Sequence, residues 1–476
     1  STDSSHVCST AFDTFTYPTL NTFIHDTICA IATRAGGALS VIRVSGANAV
    51  AYTDRIFQSA SGKRLAESKA NTLHYGTLHT LADASGAREA IDDVVVSLWR
   101  APHSYTGDDV VEISCHGSQY IAQNIIQALI ACGCRQAEPG EYTMRAYLNG
   151  KMDLSQAEAV ADLIAANNKA SHDLAVSQLK GHFSSELQRL RQQLLKLTSL
   201  LELELDFSDH EDLEFADRSE INDLSTEIFE KLRTLCESFK TGQALKQGIP
   251  VAIVGKTNVG KSTLLNQLLN EDKAIVSDID GTTRDIIDGM ASINGVTFRF
   301  VDTAGIRTTD DAIEKIGIER AYEQIAKAAI VVWMIDGKPT QADRDDMARR
   351  TEGKPLIVVH NKADLSAETF VDNEVAISAK RNENIQLLKE KIMEAANIPE
   401  IDENTIMVTN MRHFEALHKA MTDLQRVIDG LASGLPSDLL AEDLRLCLED
   451  LADITGGQIT SQETLNNIFQ HFCVGK

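Results

Sequence analysis

A glycine-rich run between an apolar strand and a helical segment carries the residue types that bind phosphate. Residues 255–262 read GKTNVGKS, which fits the spacing GxxxxGKS, and they directly follow the apolar run 251–254. Glycines allow successive backbone N–H groups to converge on a β-phosphate at a helix N-terminus. Lys261 would then neutralise β and γ oxygens, and the Ser262 hydroxyl can bind Mg²⁺. The run therefore predicts a site for a nucleoside triphosphate.

Three shorter motifs follow later predicted strands, in an order that selects guanine. In the run DTAG, the carboxylate of Asp302 can hold Mg²⁺ through water, and the N–H of Gly305 can meet the γ-phosphate. In the run NKAD, the Asp364 carboxylate can accept the N1 and N2 hydrogens of guanine, which adenine cannot offer. The run SAK at 378–380 would close over the base through its backbone. Together these motifs predict GTP rather than ATP.

The residue that usually orients the attacking water in GTPases is missing after the DTAG run. Many GTPases have a glutamine there, whereas this chain has Ile306 and Arg307. Another carboxylate or amide must therefore orient the water. The next acidic residues along the chain are Asp310, Asp311 and Glu314.

A polar loop at 277–285, between the P-loop and Asp302, offers hydroxyls and backbone carbonyls to cations. Thr283 suits a sensor of Mg²⁺ and the γ-phosphate. With Asn258, a monovalent cation could also sit near the β and γ oxygens, in the charge role of an arginine finger. The predicted nucleotide contacts are Asn258, Val259, Gly260, Lys261, Ser262, Thr263, Thr283, Asp302, Thr303, Ala304, Gly305, Asn361, Lys362, Asp364, Ser378, Ala379 and Lys380.

The composition excludes several classes of protein. Among 476 residues there are 45 Lys and Arg against 69 Asp and Glu, a net charge of −24, which disfavours a general coat for nucleic acid. We find no apolar stretch near the roughly 20 residues of a membrane span, and no signal-peptide pattern. The 8 cysteines include no CxxC pair, so we expect reduced thiols and a cytoplasmic, soluble protein.

The element pattern divides the chain into regions. Apolar β-rich runs at 38–44, 73–80, 91–99 and 109–114 predict an α/β or α+β domain, and the proline-free stretch after Pro139 predicts long antiparallel helices. From residue 249, strands and helices alternate, which predicts a mostly parallel sheet. After Pro399 the pattern is helical again. The α/β unit therefore looks inserted between two halves of one helical domain.

These motifs together resemble one family, the tRNA-modifying GTPases called MnmE or TrmE, over nearly the whole chain from residue 26. The resemblance rests on the nucleotide motifs and on further runs at both ends of the chain. These runs are IAT at 31–33, VIRVSG at 41–46, YTG at 105–107, PGEYT at 139–143, LNGK at 148–151 and FCVGK at 472–476.

The resemblance implies a multidomain α/β protein in which four segments follow an N-terminal extension (1–25) that has no family counterpart. The four segments are a tetrahydrofolate-binding and dimerisation domain of α+β type like aminomethyltransferases (26–150), a first helical half (151–247), an inserted Ras-like P-loop G domain (248–398), and a second helical half with the C-terminal CxGK motif (399–476). The extension itself reads as a mobile or strand-donating segment. The resemblance also implies a constitutive homodimer.

Several site residues follow from the resemblance alone. The family's water-orienting glutamate lies twelve residues after the Asp of DTAG, which is Glu314 here. Its K⁺ ligands map to Asn258, Ser277, Ile279 and Thr282, and its folate contacts, for 5-formyl- or methylene-tetrahydrofolate, map to Arg43, Glu112, Lys151 and Lys476. Cys473 has two open interpretations, a small buried hydrophobic residue or a thiol near the folate site that takes part in catalysis.

The resulting hypothesis is a GTPase whose G domains associate in a K⁺-stimulated cycle. It would add a carboxymethylaminomethyl-type group at C5 of the wobble uridine of certain tRNAs, with the FAD-dependent partner MnmG in a heterotetramer. Two alternatives remain open: a ribosome-assembly or signalling switch without modification chemistry, and a folate-dependent transferase with a regulatory G domain. A folate-binding assay separates the switch from the modification enzyme.

Overall fold

The structure is a computed structural model that describes residues 26–34, 36–207, 218–256, 258–271, 289–300, 323–365, 374–402, 404–457 and 461–475. The chain divides into two compact units. Ser1–Asp153 with Ile459–Lys476 form the first unit, and Leu154–Gln458 form the second. The predicted extension 1–25 lies outside the described residues.

A mixed sheet forms the centre of the first unit. Its strands are β1 (Ile28–Ile31), β2 (Leu39–Ser45), β3 (Phe57–Ser59), β4 (Thr72–His79), β5 (Ala90–Trp99), β6 (Val110–His116) and β7 (Arg135–Gln136). The seven strands follow the order β3-β4-β5-β6-β2-β1-β7, antiparallel except for β1 beside β7. The four longer strands confirm the predicted runs. The sequence analysis missed β1, β3 and β7, whose two to four residues are too few for a period-two pattern.

Helices cover one face of this sheet. They are α1 (Ala49–Ile56) and α2 (Gln119–Cys132), and α3 (Glu141–Leu148) follows β7. Because side chains alternate along a strand, Val96 and Leu98 of β5 are buried in the core beneath the helices. On the opposite face, Leu73, Tyr75 and Val95 are 72%, 59% and 39% exposed. That face is therefore apolar and open over part of β4 and β5.

The second unit begins with the predicted helices. They are α4 (Leu154–Ala165), α5 (Lys169–Leu179), α6 (His182–Phe207) and α7 (Arg218–Gln247). Along α6, Leu187, Leu190, Leu194 and Leu197 recur at helical spacing and are all buried. This single apolar face explains why the stretch folds as long packed helices.

An α/β layer follows, built on a second sheet. Its elements are β8 (Ile249–Val254), α8 (Lys261–Glu271), β9 (Met290–Ile293), β10 (Val296–Phe300), β11 (Ile330–Ile335), α9 (Gln341–Arg350), β12 (Leu356–His360), β13 (Val375–Ala376) and α10 (Ile385–Ala396). The six strands follow the order β13-β12-β11-β8-β10-β9, and only β9 and β10 pair antiparallel. The predicted mostly parallel sheet is thus confirmed. Parallel strands end at one edge, so the loops after β8, β12 and β13 emerge together.

Two further helices complete the second unit, α11 (Met411–Ala432) and α12 (Ser437–Thr455). Their buried side chains, such as Leu424 and Leu444, belong to one hydrophobic core with Leu194 of α6 and Leu232 of α7. This core therefore contains side chains from both sides of the α/β segment. None of the helices in the described ranges is both long and apolar enough to cross a membrane.

The C-terminal segment belongs to the first unit. After α13 (Gln462–Phe469), Val474 forms a β-bridge with Pro139. Gly475, at φ +92°, lies so close to β1 that a Cβ there would be 2.5 Å from the carbonyl oxygen of Ile31. The sequence analysis had grouped these residues with the second helical half, because helical periodicity does not reveal which unit a short terminal helix packs against.

A buried charge cluster joins three helices of the second unit. Glu158 of α4 is 2.6 Å from His413 and 2.7 Å from Arg412, both at the start of α11. Arg412 also donates to the carbonyls of Asp453 and Ile454 near the end of α12. Burial disfavours the carboxylate of Glu158 most, but its interactions with His413 and Arg412 outweigh burial and lower its pKa to about 2. The helices are thus held by a carboxylate that must stay ionised.

We expect Glu158→Gln to lower the free energy of unfolding by about 3 kcal/mol, since it leaves Arg412 and His413 without their buried counter-charge. Because the folded-state pKa lies below the usual value of 4.5, the contribution is complete above that pH and is lost as pH falls towards 2. Urea unfolding from pH 7 to about pH 3.5 measures both effects. Glu186→Gln, which loses only the exposed Arg189 partner, is the control and should change little. A constant difference between wild type and Glu158→Gln across this range would contradict the assignment.

Candidate active site

The predicted phosphate-binding run lies between the end of β8 and the first turn of α8. Lys261 begins the helix, and its Nζ donates to the carbonyls of Gly255 and Lys256 at 2.8 and 2.7 Å. Burial lowers the pKa of this ammonium. Its cation therefore faces the interior of the loop, where a phosphate would be a better partner than two carbonyls. Ser262 and Thr263 are exposed in the same first turn.

One asparagine connects the phosphate-binding run to both base-binding loops. The Asn361 Nδ2 donates to the carbonyl of Val259 at 2.7 Å, and its Oδ1 accepts from the N–H of Ala379 at 3.0 Å. Gly260, at φ +99°, leaves room for this amide, because a Cβ there would be 2.2 Å from the Asn361 Nδ2. The structure thus brings together three motifs, of which the first lies 102 residues before Asn361 in sequence and the last lies 18 residues after it.

The carboxylate that the sequence predicts to select guanine is paired with a neighbouring cation. The Asp364 Oδ2 is 3.3 Å from the Nε of Arg381, and the Asp364 side chain is only 11% exposed. Arg381 reaches it because residues 378–383 turn back on themselves, with mutual backbone hydrogen bonds between Ser378 and Glu383. Arg381 was missed by the sequence analysis, and its only signal was its position directly after the SAK run.

The remaining predicted base contacts lie at the rim of the same edge. Lys362, at φ +63°, donates to Asp336 Oδ2 at 3.0 Å. Ser378 and Ala379 are buried, whereas Lys380 is exposed. Asn258, at φ +63°, is exposed, and Val259 is buried. The predicted site residues outside the described ranges are Ser277, Ile279, Thr282, Thr283, Asp302, Thr303, Ala304, Gly305, Glu314 and Lys476, together with the alternatives Asp310 and Asp311.

The first unit brings two predicted folate contacts together. Arg43 and Glu112 are cross-strand partners on β2 and β6, with their charged atoms 2.8 Å apart. The guanidinium of Arg43 also lies 5.4 and 5.5 Å from the ring centres of Tyr105 and Tyr142. Burial raises the pKa of both tyrosines, so both stay neutral. The sequence analysis quoted both tyrosines within family runs but assigned them no role.

The C-terminal run approaches this cluster through its backbone. The Nη1 of Arg43 donates to the carbonyl of Gly475 at 3.3 Å. Cys473 is exposed, so the interpretation of this residue as a small buried hydrophobic side chain is wrong. Lys151 is exposed and donates to the carbonyl of Pro102 at 2.9 Å, on the loop that carries Tyr105.

We expect Asp364→Asn to lose GTP affinity by on the order of 10²-fold or more, because a carboxylate built to accept two hydrogens is replaced by a group that accepts at one atom only. Xanthine has a carbonyl where guanine has its N2 amine, so the amide introduced by Asp364→Asn should gain affinity for xanthosine triphosphate. Fluorescent-nucleotide competition measures both. The gain in affinity for xanthosine triphosphate also shows that the variant is folded. An unchanged preference for GTP would contradict the assignment of Asp364.

Comparisons with known proteins identify the family of this chain. A family model described as the MnmE helical domain matches residues 154–473, and one described as GTP-binding protein TrmE N-terminus matches residues 27–151. The tRNA modification GTPase MnmE of Phocaeicola vulgatus is 52% identical over 494 aligned residues, covering 95% of this chain and 99% of that protein. The protein of the same name from Bacteroides thetaiotaomicron is 52% identical, and that of Flavobacterium psychrophilum is 47% identical, each covering 95% of this chain and 99% of its own. The chain therefore belongs to the MnmE family of tRNA modification GTPases.

Proposed function

We propose that this GTPase acts with an FAD-dependent partner of the MnmG type to add a carboxymethylaminomethyl-type group at C5 of the wobble uridine, position 34, of certain tRNAs. The observation that carries the nucleotide part is the Asn361 amide, which binds the P-loop at Val259 and the base loop at Ala379. The family membership supports the tRNA part. The strongly acidic charge of −24 suits a division in which the partner makes most tRNA contacts.

Within the nucleotide site, each residue has a proposed role. Lys261 would leave its two carbonyl partners and neutralise the β and γ oxygens, while Asp364 would select guanine. The exposed Ser262 hydroxyl, with Thr283, would hold Mg²⁺, which screens the phosphate charge when it is bound. Asn258, also exposed, would hold K⁺ with Ser277, Ile279 and Thr282. Glu314, the position that the family resemblance indicates, would orient the attacking water.

In the first unit, we propose a folate site around Arg43 and Glu112. The fit is chemical: a carboxylate suits the amidine-like edge of a pteridine, and a guanidinium suits the carboxylates of a folate tail. Tyr105 and Tyr142 flank the guanidinium with aromatic surface. Lys151, Lys476 and the exposed thiol of Cys473 would complete the site for 5-formyl- or methylene-tetrahydrofolate. Such a domain would resemble the folate-binding part of aminomethyltransferases.

We also propose a homodimer through the open face of the N-terminal sheet. Leu73, Tyr75 and Val95 are adjacent there, since Tyr75 pairs with Val95 across β4 and β5. Contiguous exposed apolar side chains of this size favour a protein interface. Two such chains with two partner subunits would form a heterotetramer, in which the inserted G domains associate during the GTP cycle. The shared core of α6, α7, α11 and α12 supports that insertion.

The seven described cysteines are free thiols, which suits the cytoplasm as the place of action.

An alternative is a ribosome-assembly or signalling switch that uses GTP only to change partners. It gives no reason for a cation, a carboxylate and two tyrosines to converge on the N-terminal sheet. Folate binding therefore separates the two functions, and the modification enzyme is favoured by the Arg43 cluster.

We expect steady-state GTP hydrolysis to fall on the order of 10²-fold when KCl is replaced by NaCl at equal ionic strength. Asn258→Ala should lose the same amount in KCl, because it removes a proposed K⁺ ligand, and should show little further loss in NaCl. Glu314→Ala should lose turnover in both salts while nucleotide affinity is retained. If wild type hydrolyses GTP at the same rate in both salts, the proposed K⁺ role is wrong and the switch hypothesis is favoured.

We expect Arg43→Ala to weaken binding of 5-formyl-tetrahydrofolate by about 10- to 100-fold, since a hydrogen bond to a charged group is lost. Calorimetric titration measures the affinity, and Arg43→Lys should recover part of it. The control is Arg64→Ala, which removes an arginine that is 68% exposed and paired with Asp54. If Arg43→Ala binds folate as tightly as wild type does, the folate site lies elsewhere on the chain. If wild type does not bind folate, the proposed folate site is wrong.

A further inference from the structure

The strand before the base loop at 378–383 has a short hydrogen-bond ladder with its neighbour. β13 is an edge strand of 2 residues, and within the described residues its ladder with β12 consists of Val359 with Val375 and His360 with Ala376. The backbone adds the bond from the Ile377 N–H to the carbonyl of His360 at 2.8 Å. So short an edge strand is weakly held by its ladder alone. Nevertheless it must place the Ala379 N–H against the Asn361 side chain.

A buried side-chain cluster compensates for this short ladder. Glu374, directly before β13, bonds through Oε2 to the Nε2 of His360 and through Oε1 to the Nη1 of Arg344 at 2.7 Å. The side chains of Glu374 and His360 are only 8% and 7% exposed. We name these three residues, Arg344, Glu374 and His360, the Glu374 clamp. It connects α9 and β12 to the residue at which β13 begins.

Both ends of the clamp are firmly anchored. Arg344 lies in the first turns of α9, which opens with a capping box in which Thr340 and Asp343 bind each other's backbone N–H. His360 is the last residue of β12 and directly precedes Asn361. Burial opposes ionisation of Glu374 most strongly, but hydrogen bonds from Arg344 and His360 outweigh it and hold its pKa below its usual range. A charged, buried carboxylate with both oxygens bonded resists displacement, because either partner's loss would leave charge uncompensated.

We infer that the Glu374 clamp positions the two guanine-binding loops relative to each other. Within the clamp, His360 directly precedes Asn361 and Glu374 directly precedes β13, and the two side chains are bonded to each other. The clamp therefore sets the spacing between Asn361, Asp364 and Ala379. This inference rests on the proposed guanine site. The clamp residues are positioning residues, since His360 and Glu374 are buried behind the loops, and the phosphate-binding run is built on β8 and α8 instead.

A clamp that positions the base loops affects nucleotide selectivity, which general stabilisation of the fold does not. If the base loops shift, the bonds to guanine weaken, whereas those to the phosphates do not. Inosine diphosphate lacks the N2 amine of guanine, so it already misses one of the two bonds to Asp364. Loosening the clamp should therefore weaken GDP more than inosine diphosphate, raise KM for GTP, and leave kcat nearly unchanged.

The test measures the affinities of the full-length chain for GDP and inosine diphosphate, with kcat and KM for GTP. We expect Glu374→Ala to weaken GDP binding by about 10-fold and to lower the GDP preference, with kcat within about twofold. Glu374→Gln should recover part of the preference because it can still bond to one partner. Arg344→Ala removes only the partly exposed arm and keeps the buried pair, so it tests the clamp even if Glu374→Ala does not fold.

The matched control is Asp346→Ala on the same helix, whose pairs with Arg349 and Arg350 are exposed. It should leave every parameter unchanged. Asp364→Asn, tested alongside, should abolish the GDP preference. If it does so while the Glu374 and Arg344 variants keep the wild-type preference, the clamp inference is wrong and the guanine site stands. If wild type shows no preference for GDP and Asp364→Asn changes nothing, the proposed guanine site is wrong, and the clamp inference falls with it.

Discussion

The nucleotide site depends on one carboxamide. Asn361 donates to the carbonyl of Val259 and accepts from the N–H of Ala379, so a single planar group connects the predicted phosphate-binding run to the predicted base loop. The amide is buried, and both of its backbone partners belong to buried residues, where a hydrogen bond avoids the cost of an unmet polar group. The same contact requires glycine at 260, because a Cβ there would overlap the Asn361 Nδ2.

Around this amide, the parallel sheet acts as a common platform. The phosphate-binding run leaves the central strand β8, while the base loops leave β12 and the edge strand β13. Central strands are held on both sides by backbone ladders, whereas β13 is held on one. Buried side chains therefore take a larger part in fixing the base loops. Glu374 with its two partners and Arg381 with Asp364 both serve that edge.

In the first unit, the C-terminal segment packs against the sheet and bonds to Arg43. Gly475 lies against the carbonyl of Ile31, and its own carbonyl accepts from Arg43, so the chain terminus becomes part of a cluster built on β2 and β6. This arrangement explains the glycine of the run FCVGK as a steric requirement. In the same C-terminal run, the thiol of Cys473 is exposed and does not lie in a core.

By itself, the sequence determined the local features: the four longer strands of the first sheet, the helices of the second unit, the mostly parallel pairing in the second sheet, and the motifs around Lys261, Asn361 and Asp364. These follow from periodicity and from residue types whose chemistry acts over a few neighbours. Only the tertiary structure decided which unit the C-terminal segment joins, that Arg43 lies between two tyrosines, and that Glu374 bridges α9 and β12. Contacts between residues far apart in sequence depend on how the elements pack, and a charged residue carries no local signal that names its distant partner.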